Sequence, residues 1–157
     1  MRFIQNQYNE VMPKNKLLFC ALGLLLPGSG LNVFYLKGLS NLWAWLHMLS
    51  LFLGILGVKL LIASDMSVAL GWVFAALGFI SIEASLLTTI VYGLRPDEKW
   101  DAQFNSDNGY QNQSGWLVII CVIASLMIGA AVLMSGLAIA FEQHFISQFE
   151  AARKISQ

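Results

Sequence analysis

Glu83 and His47 are the residues whose chemistry is most at odds with their surroundings. Glu83 stands between Phe79-Ile80 and Leu86-Leu87, and His47 sits inside SNLWAWLHMLSLFLGILGVKLLIA. A charged side chain at the centre of a bilayer costs about 2.5–3.5 kcal/mol or more, so it faces a bundle interior and finds a partner. The link between the two apolar runs centres on Asp65, with His47 18 residues before it and Glu83 18 residues after it. At a rise of about 1.5 Å per residue the two reach the same depth, so a Glu83–His47 contact is expected. Such a pair can relay a proton or cation. It can also act as a polar clasp between helices, worth roughly 0.6–2 kcal/mol.

Other reactive residue types point to less. Cys20 and Cys121 lie in apolar runs with no second thiol or histidine at metal spacing. They read as buried small apolar residues, near opposite faces of the bilayer, so neither a disulfide nor a metal site is expected. His144 is two residues from Glu142, a spacing that does not share a helix face. Asn112-Gln113-Ser114 has the form of a glycosylation sequon, which matters only in a secretory pathway. There is no Gly-rich phosphate loop and no Ser/His/Asp set. The expectation is no enzyme, no cofactor and no metal.

The elements that position Glu83 and His47 follow from composition. Hydrophobic residues make up 57% of the 157 residues and charged residues 11%, against about 25% charged in a soluble domain. Mean hydropathy is +0.66. The solvent for most of this chain is lipid. A formal net charge of zero gives no nucleic-acid signature.

The pattern reads as an all-α integral membrane protein, one membrane domain over 1–157, with a four-helix transmembrane bundle. The expected spans are about 14–30, 40–63, 67–93 and 116–141. The first apolar run, Leu17 to Leu26, stops at Pro27-Gly28-Ser29-Gly30, a strong breaker cluster. Extended back to Lys14 it has about 17 residues, the low end for crossing. A re-entrant or tilted segment is the alternative, and a cleaved signal peptide is another. Only Ser64, Asp65 and Met66 separate the second and third runs, which forces an antiparallel hairpin.

Residues 94–115 form a polar loop. In it, Pro96-Asp97-Glu98 suits a first helical turn, and Trp100 and Phe104 share a face at i and i+4. A short interfacial helix is expected there, followed by a flexible Asn/Ser/Gly stretch. The tail 142–157 has no breaker, and Phe145, Phe149 and Ala152 align, so the last helix is expected to continue as an amphipathic stem. Small residues suit close helix packing in lipid. Gly71, Ala75, Gly78 and Ser85 on the third span, and Ser125, Gly129, Gly136 and Ala140 on the fourth, are expected mainly inside the bundle.

Lysine and arginine placement sets orientation. Arg2, Lys14, Lys16, Arg153 and Lys154, with Lys59 close by, outnumber Lys37, Arg95 and Lys99. With four spans, both termini are expected in the cytoplasm of a cell with a bacterial inner membrane. If the first segment is re-entrant, the later spans reverse.

The stretch LLFCALGLLLPGSGLNVFYLKG resembles the two-transmembrane-domain family, over residues 14–63. Gly28 and Gly30 match its glycine break, and Phe34, Tyr35 and Leu36 match its aromatic box, with Gly38 one residue late after Lys37. Asn32-Val33 stand where members often carry His-Arg. Glu83 is the nearest acid to the family's intramembrane Asp, and lies further along. The resemblance implies architecture and no particular activity. Physically, the glycine break is expected to end a helix at the membrane face, with Phe34 and Tyr35 in the headgroup layer.

The expected function is a scaffold or accessory subunit that binds another membrane protein or itself, using small-residue faces, Trp100, Phe104 and the stem. The alternative is a small oligomeric transporter or channel with Glu83 and His47 lining the path.

Overall fold

The computed structural model describes residues 12–107 and 109–156. Arg2, counted above with the N-terminal basic residues, lies outside that range. All regular structure among the described residues is helical: α1 Lys16–Leu25, α2 Leu31–Lys37, α3 Leu42–Ala63, α4 Ala69–Gly93, α5 Asp97–Phe104 and α6 Trp116–Ile155.

Three helices, α3, α4 and α6, are long and apolar enough to cross a membrane. Helix α1 is not. Its ten residues reach about 15 Å, half of a hydrocarbon core about 30 Å thick. The expected span over 14–30 is thus represented by a short helix and a turn. Pro27 to Gly30 reverses the chain between α1 and α2. Gly28 and Gly30 take left-handed backbone angles, φ +78° and +74°, which cost glycine nothing. After the turn, α2 runs back along α1: the Tyr35 hydroxyl meets the Asn15 backbone N–H at 2.6 Å, and the Lys14 ammonium donates to the Tyr35 carbonyl at 2.8 Å.

The depth of the turn is fixed by its neighbours. A Cβ on Gly28 would lie 3.2 Å from the Ile82 backbone nitrogen, and one on Gly30 would collide with the Ala44 carbonyl. Ile82 adjoins Ser81, the middle residue of the 25-residue α4. Helices α1 and α2 thus form a hairpin whose tip lies against the middle of α4.

Helix α4 is the common neighbour, packing on α1, α3 and α6. Its seam with α3 is built on glycine: a Cβ on Gly54 would lie 2.5 Å from the Gly78 Cα, and Gly57 backs onto Gly71 and Ala75. In lipid, where burial of apolar surface drives little association, such close approach is what holds helices together. The turn Ser64 to Ser67 that joins α3 to α4 is tight, with Asp65 and Met66 at positive φ and Met66 N–H returned to the Leu61 carbonyl at 2.8 Å. The expected antiparallel hairpin is present.

Helix α6 descends beside α4. Val122 meets Gly93, Gly129 meets Glu83 and Leu86, and Gly136 meets Phe79. Its 40 residues run on to Ile155, so the continuous stem read from the sequence is also present. Two ends can now be distinguished: a clasp end, where α1, α5 and the start of α6 meet, and a turn end, marked by Ser64 to Ser67. Lys16 is at the clasp end and Ile155 beyond the turn end. Lys16 and Ile155 therefore stand at opposite ends of the bundle, with α3, α4 and α6 between them.

Two outcomes test this arrangement. Gly78→Leu should overpack the α3–α4 seam and lower stability in mild detergent by about 1–3 kcal/mol, measured by thermal or denaturant unfolding. Single cysteines at Ser64 and Ser156 should be labelled by an impermeant thiol reagent from one side and one at Ser106 from the other, while one at Ser29 reacts slowly from both. Labelling of Ser29 as fast as Ser106 would remove the mid-depth turn.

Candidate functional site

Most buried polar side chains among the described residues gather in two places, a seam along α4 and a network at the clasp end. The seam comes from spacing on α4: Ser81, Ser85 and Thr89 recur every four residues on one helix face and are all buried. They face the re-entrant hairpin. Ser81 Oγ lies 3.1 Å from the Gly28 carbonyl and 2.8 Å from His47 Nδ1. A hydroxyl has one proton to give. If Ser81 donates it to Gly28, His47 must donate from Nδ1, which selects that tautomer. Ser85 reaches the Gly23 carbonyl at 3.5 Å. A Cβ on Gly23 would collide with Thr89 Oγ1, so glycine there lets α1 lie directly on the seam.

The expected Glu83–His47 contact is not formed. His47 meets Ser81, and Glu83 Oε1 is buried with no hydrogen-bond partner, its other oxygen directed at Gly129 of α6. The depth argument is accurate to within two residues. Azimuth decides the matter: at about 100° per residue, Glu83 projects some 200° around α4 from Ser81, onto α6 rather than α3. Among the described residues, Asn32 Nδ2 and Ser125 Oγ are also buried without partners.

The remaining predicted residues fall as follows. Gly71, Ala75 and Gly78 lie in the α3–α4 seam, while Ser125, Gly129 and Gly136 face inward from α6. Ala140 does not: it is exposed on the lip of a groove. Gly38 takes φ +76° at the end of α2. Phe34 packs edge-on against Trp45 at 5.1 Å, and Leu36 supports the core.

Helix α5 spans the expected residues, but Trp100 and Phe104 do not face outward as docking elements. Trp100 is fully buried against Phe19 at 5.5 Å and Phe104 at 4.7 Å, with its indole N–H on the Lys14 carbonyl at 2.9 Å. Their i, i+4 face is turned to the chain's own core because α1 offers Phe19 and Cys20 there.

Around this core lies a network that sequence reasoning missed. Asn105 pairs with Lys14 twice, accepting its N–H at 2.7 Å and donating to its carbonyl at 3.1 Å. Asn112 accepts from Lys16 N–H at 2.9 Å. Asp101 holds both amides, at 2.7 Å and 2.6 Å. The buried Lys16 ammonium is 2.9 Å from Asp97 and also donates to the Arg95 carbonyl. The stretch read as flexible therefore carries two buried clamps. Its one sequence signal is that Asn105 and Asn112 bracket the loop, too generic to identify them.

Burial pushes the Asp97 carboxyl up. Hydrogen bonds from Ser114 and Lys16, together with the Lys16 charge, more than offset it and hold the group below its ordinary 3.8. Burial likewise raises Asp101, and the hydrogen bonds from Asn105 and Asn112 more than compensate, leaving it lowered from 3.8.

Chemically, the seam can satisfy backbone groups and orient one imidazole. Glu83 is the single carboxylate within the crossing helices α3, α4 and α6 up to Phe141. Among the described residues no group of three metal-ligating side chains is present. No family model, curated protein or solved structure matches the chain.

The lowered carboxyls give a sign. Both groups favour the folded state while ionised, so their contribution is complete above the unfolded value near 3.8 and is lost as pH falls through the lower folded values. Asp97→Ala, which strands a buried ammonium, should cost about 3–5 kcal/mol at pH 7. The gap from wild type should narrow below about pH 4, read as melting temperature against pH. A gap constant down to pH 3 would place the Asp97 contribution elsewhere than in its charge.

Proposed function

We propose that the protein is a small membrane scaffold or accessory subunit, docking another membrane protein or a second copy through the stem of α6. One observation carries this reading. At about 1.5 Å per residue, the 40 residues of α6 extend about 60 Å, twice the hydrocarbon thickness of about 30 Å. Its packing on α4 is used up near Gly136, opposite Phe79. Beyond that point Phe141, Phe145 and Phe149 recur every four residues and are 60–73% exposed. Aromatic rings on one face of an otherwise polar helix are the usual anchors of helix-in-groove or helix–helix recognition.

The basic residues support an orientation. Lys14, Lys16, Lys37, Arg95 and Lys99 belong to the clasp end, against Lys59, Arg153 and Lys154 towards the other. By the positive-inside rule the clasp end is cytoplasmic in a bacterial inner membrane, and the stem stands on the far side. The likeness of residues 14–63 to the two-transmembrane-domain family is compatible with a module of this kind.

A photo-crosslinking residue at Phe149 should capture a defined neighbour in the native membrane. A chain ending after Phe141 should insert normally and lose that neighbour in co-purification. Recovery of the same neighbour without the stem would overturn the reading.

A second reading, a conduit for protons or cations, is favoured by the unpartnered Glu83 Oε1, since intramembrane carboxylates commonly mark ion pathways. It predicts pH-dependent flux in proteoliposomes that falls at least about tenfold in Glu83→Gln, the scale of removing one essential proton-transfer group. Equal flux in wild type and Glu83→Gln eliminates it.

A further inference from the structure

Helices α3 and α6 flank α4 without sharing a packed face of their own. Between them, at the turn end, α4 is left as the floor of an elongated groove of about 790 Å³, within the roughly 300–1,000 Å³ typical of ligand sites. The groove follows from residue size. Glycines at 54, 57, 71 and 78 draw α3 tightly onto one side of α4. On the other side the Phe79 ring, wedged against Gly136, props α6 away. What remains is a trough with Ala75 and Ala76 in its floor and Ile55, Ile62 and Leu137 in its walls.

Its length and its ends identify an occupant. Along α4 the trough runs from Trp72 to Ile82, ten residues or about 15 Å, which is one leaflet of a core about 30 Å thick. At the inner end stands Ile82, backed by the re-entrant turn at Gly28. At the outer end stands Lys59, the one charged residue in the lining and the one charged residue within α3. It is exposed and enters no ion pair among the described residues. Asp65, the nearest acid in sequence, is outside the lining. Lysine at such a depth extends its ammonium to the headgroup layer while its stem stays in the apolar wall.

We propose that this groove is a binding site for one anionic phospholipid of the turn-end leaflet. An acyl chain lies along α4 and ends at Ile82, and the headgroup phosphate sits on Lys59. A trough one leaflet deep and blocked at mid-depth suits a chain that ends there. A crossing helix of a second copy would need both leaflets. The site is independent of the α6 stem and of Glu83, neither of which lines it.

The test is native mass spectrometry of the full chain released from bilayers containing equal dioleoyl-phosphatidylglycerol and dioleoyl-phosphatidylcholine. Wild type should retain one phosphatidylglycerol in preference to phosphatidylcholine. Lys59→Gln should reduce that preference about fivefold, the scale of one lysine at an anionic surface. Ala76→Phe, which fills the trough from an exposed floor position away from the glycine seam, should reduce retention of both lipids. Leu87→Phe, on the lipid-facing surface outside the trough, should change neither. Equal retention of the two lipids by wild type, an unaltered preference in Lys59→Gln, or a dimer lost in Ala76→Phe would each overturn the proposal, the last by identifying a second copy as the occupant. Helical circular dichroism of each variant separates loss of the site from loss of the fold.

Discussion

A chain that turns around inside hydrocarbon must satisfy every backbone group it frees without help from water. That constraint governs this molecule. The turn from Pro27 to Gly30 breaks the helical ladder against the middle of α4, and Ser81 reaches the buried Gly28 carbonyl. From this one requirement the rest follows in order. Ser81 must face the hairpin, so Ser85 and Thr89 face it too. Gly23 must lack a side chain to lie against Thr89, and Gly30 must lack one to lie against Ala44. Helix α4, carrying the donors, becomes the element on which α1, α3 and α6 all pack. His47 is drawn in as the second partner of the same hydroxyl.

The two ends of the bundle solve opposite problems. At the clasp end, three approaching segments bring polar backbone to the head of α1, and Asp97, Asp101, Asn105 and Asn112 meet it with side chains around a fully buried Trp100. Amide side chains copy the pairing of a backbone neighbour there. Among the described residues the turn end has no such network. Ser64 to Ser67 closes on itself, and α3 and α6 diverge. Polar fastening is therefore concentrated at one end and accessible apolar surface at the other, a division that suits a protein fastened at one side and open to lipid or protein at the other.

Much of the architecture was legible in the sequence because crossing helices announce themselves by length and composition. Helices α3, α4 and α6, the tight link at Asp65 and the unbroken stem all follow from apolar run lengths and the absence of breakers. The first segment was ambiguous for the same reason: ten apolar residues before Pro27 fit either a short span or a half-span, and its packing against α4 leaves no trace in them. Depth was readable for His47 and Glu83 but azimuth was not, since a helix with apolar residues all round gives no sign of which face meets which partner. The i, i+4, i+8 run of Ser81, Ser85 and Thr89 was the available clue, hidden by the habit of reading serine in a span as a small residue. Asn105 and Asn112 could not be found from composition, because a loop rich in asparagine looks the same whether its amides are solvated or buried. Trp100 and Phe104 shared a face as expected, but the sequence holds nothing to say whether that face looks inward or outward.

The partnership between Gly28 and Ser81 spans 53 residues, and this separation bears on how the chain is made. A ribosome-bound chain presents α1 and its turn well before α4 exists. Until Ser81 is made, the Gly28 carbonyl lacks this donor, so the turn cannot complete its packing before α4 follows it from the ribosome. Seating of the α1–α2 hairpin on the bundle is therefore a long-range event in the chain.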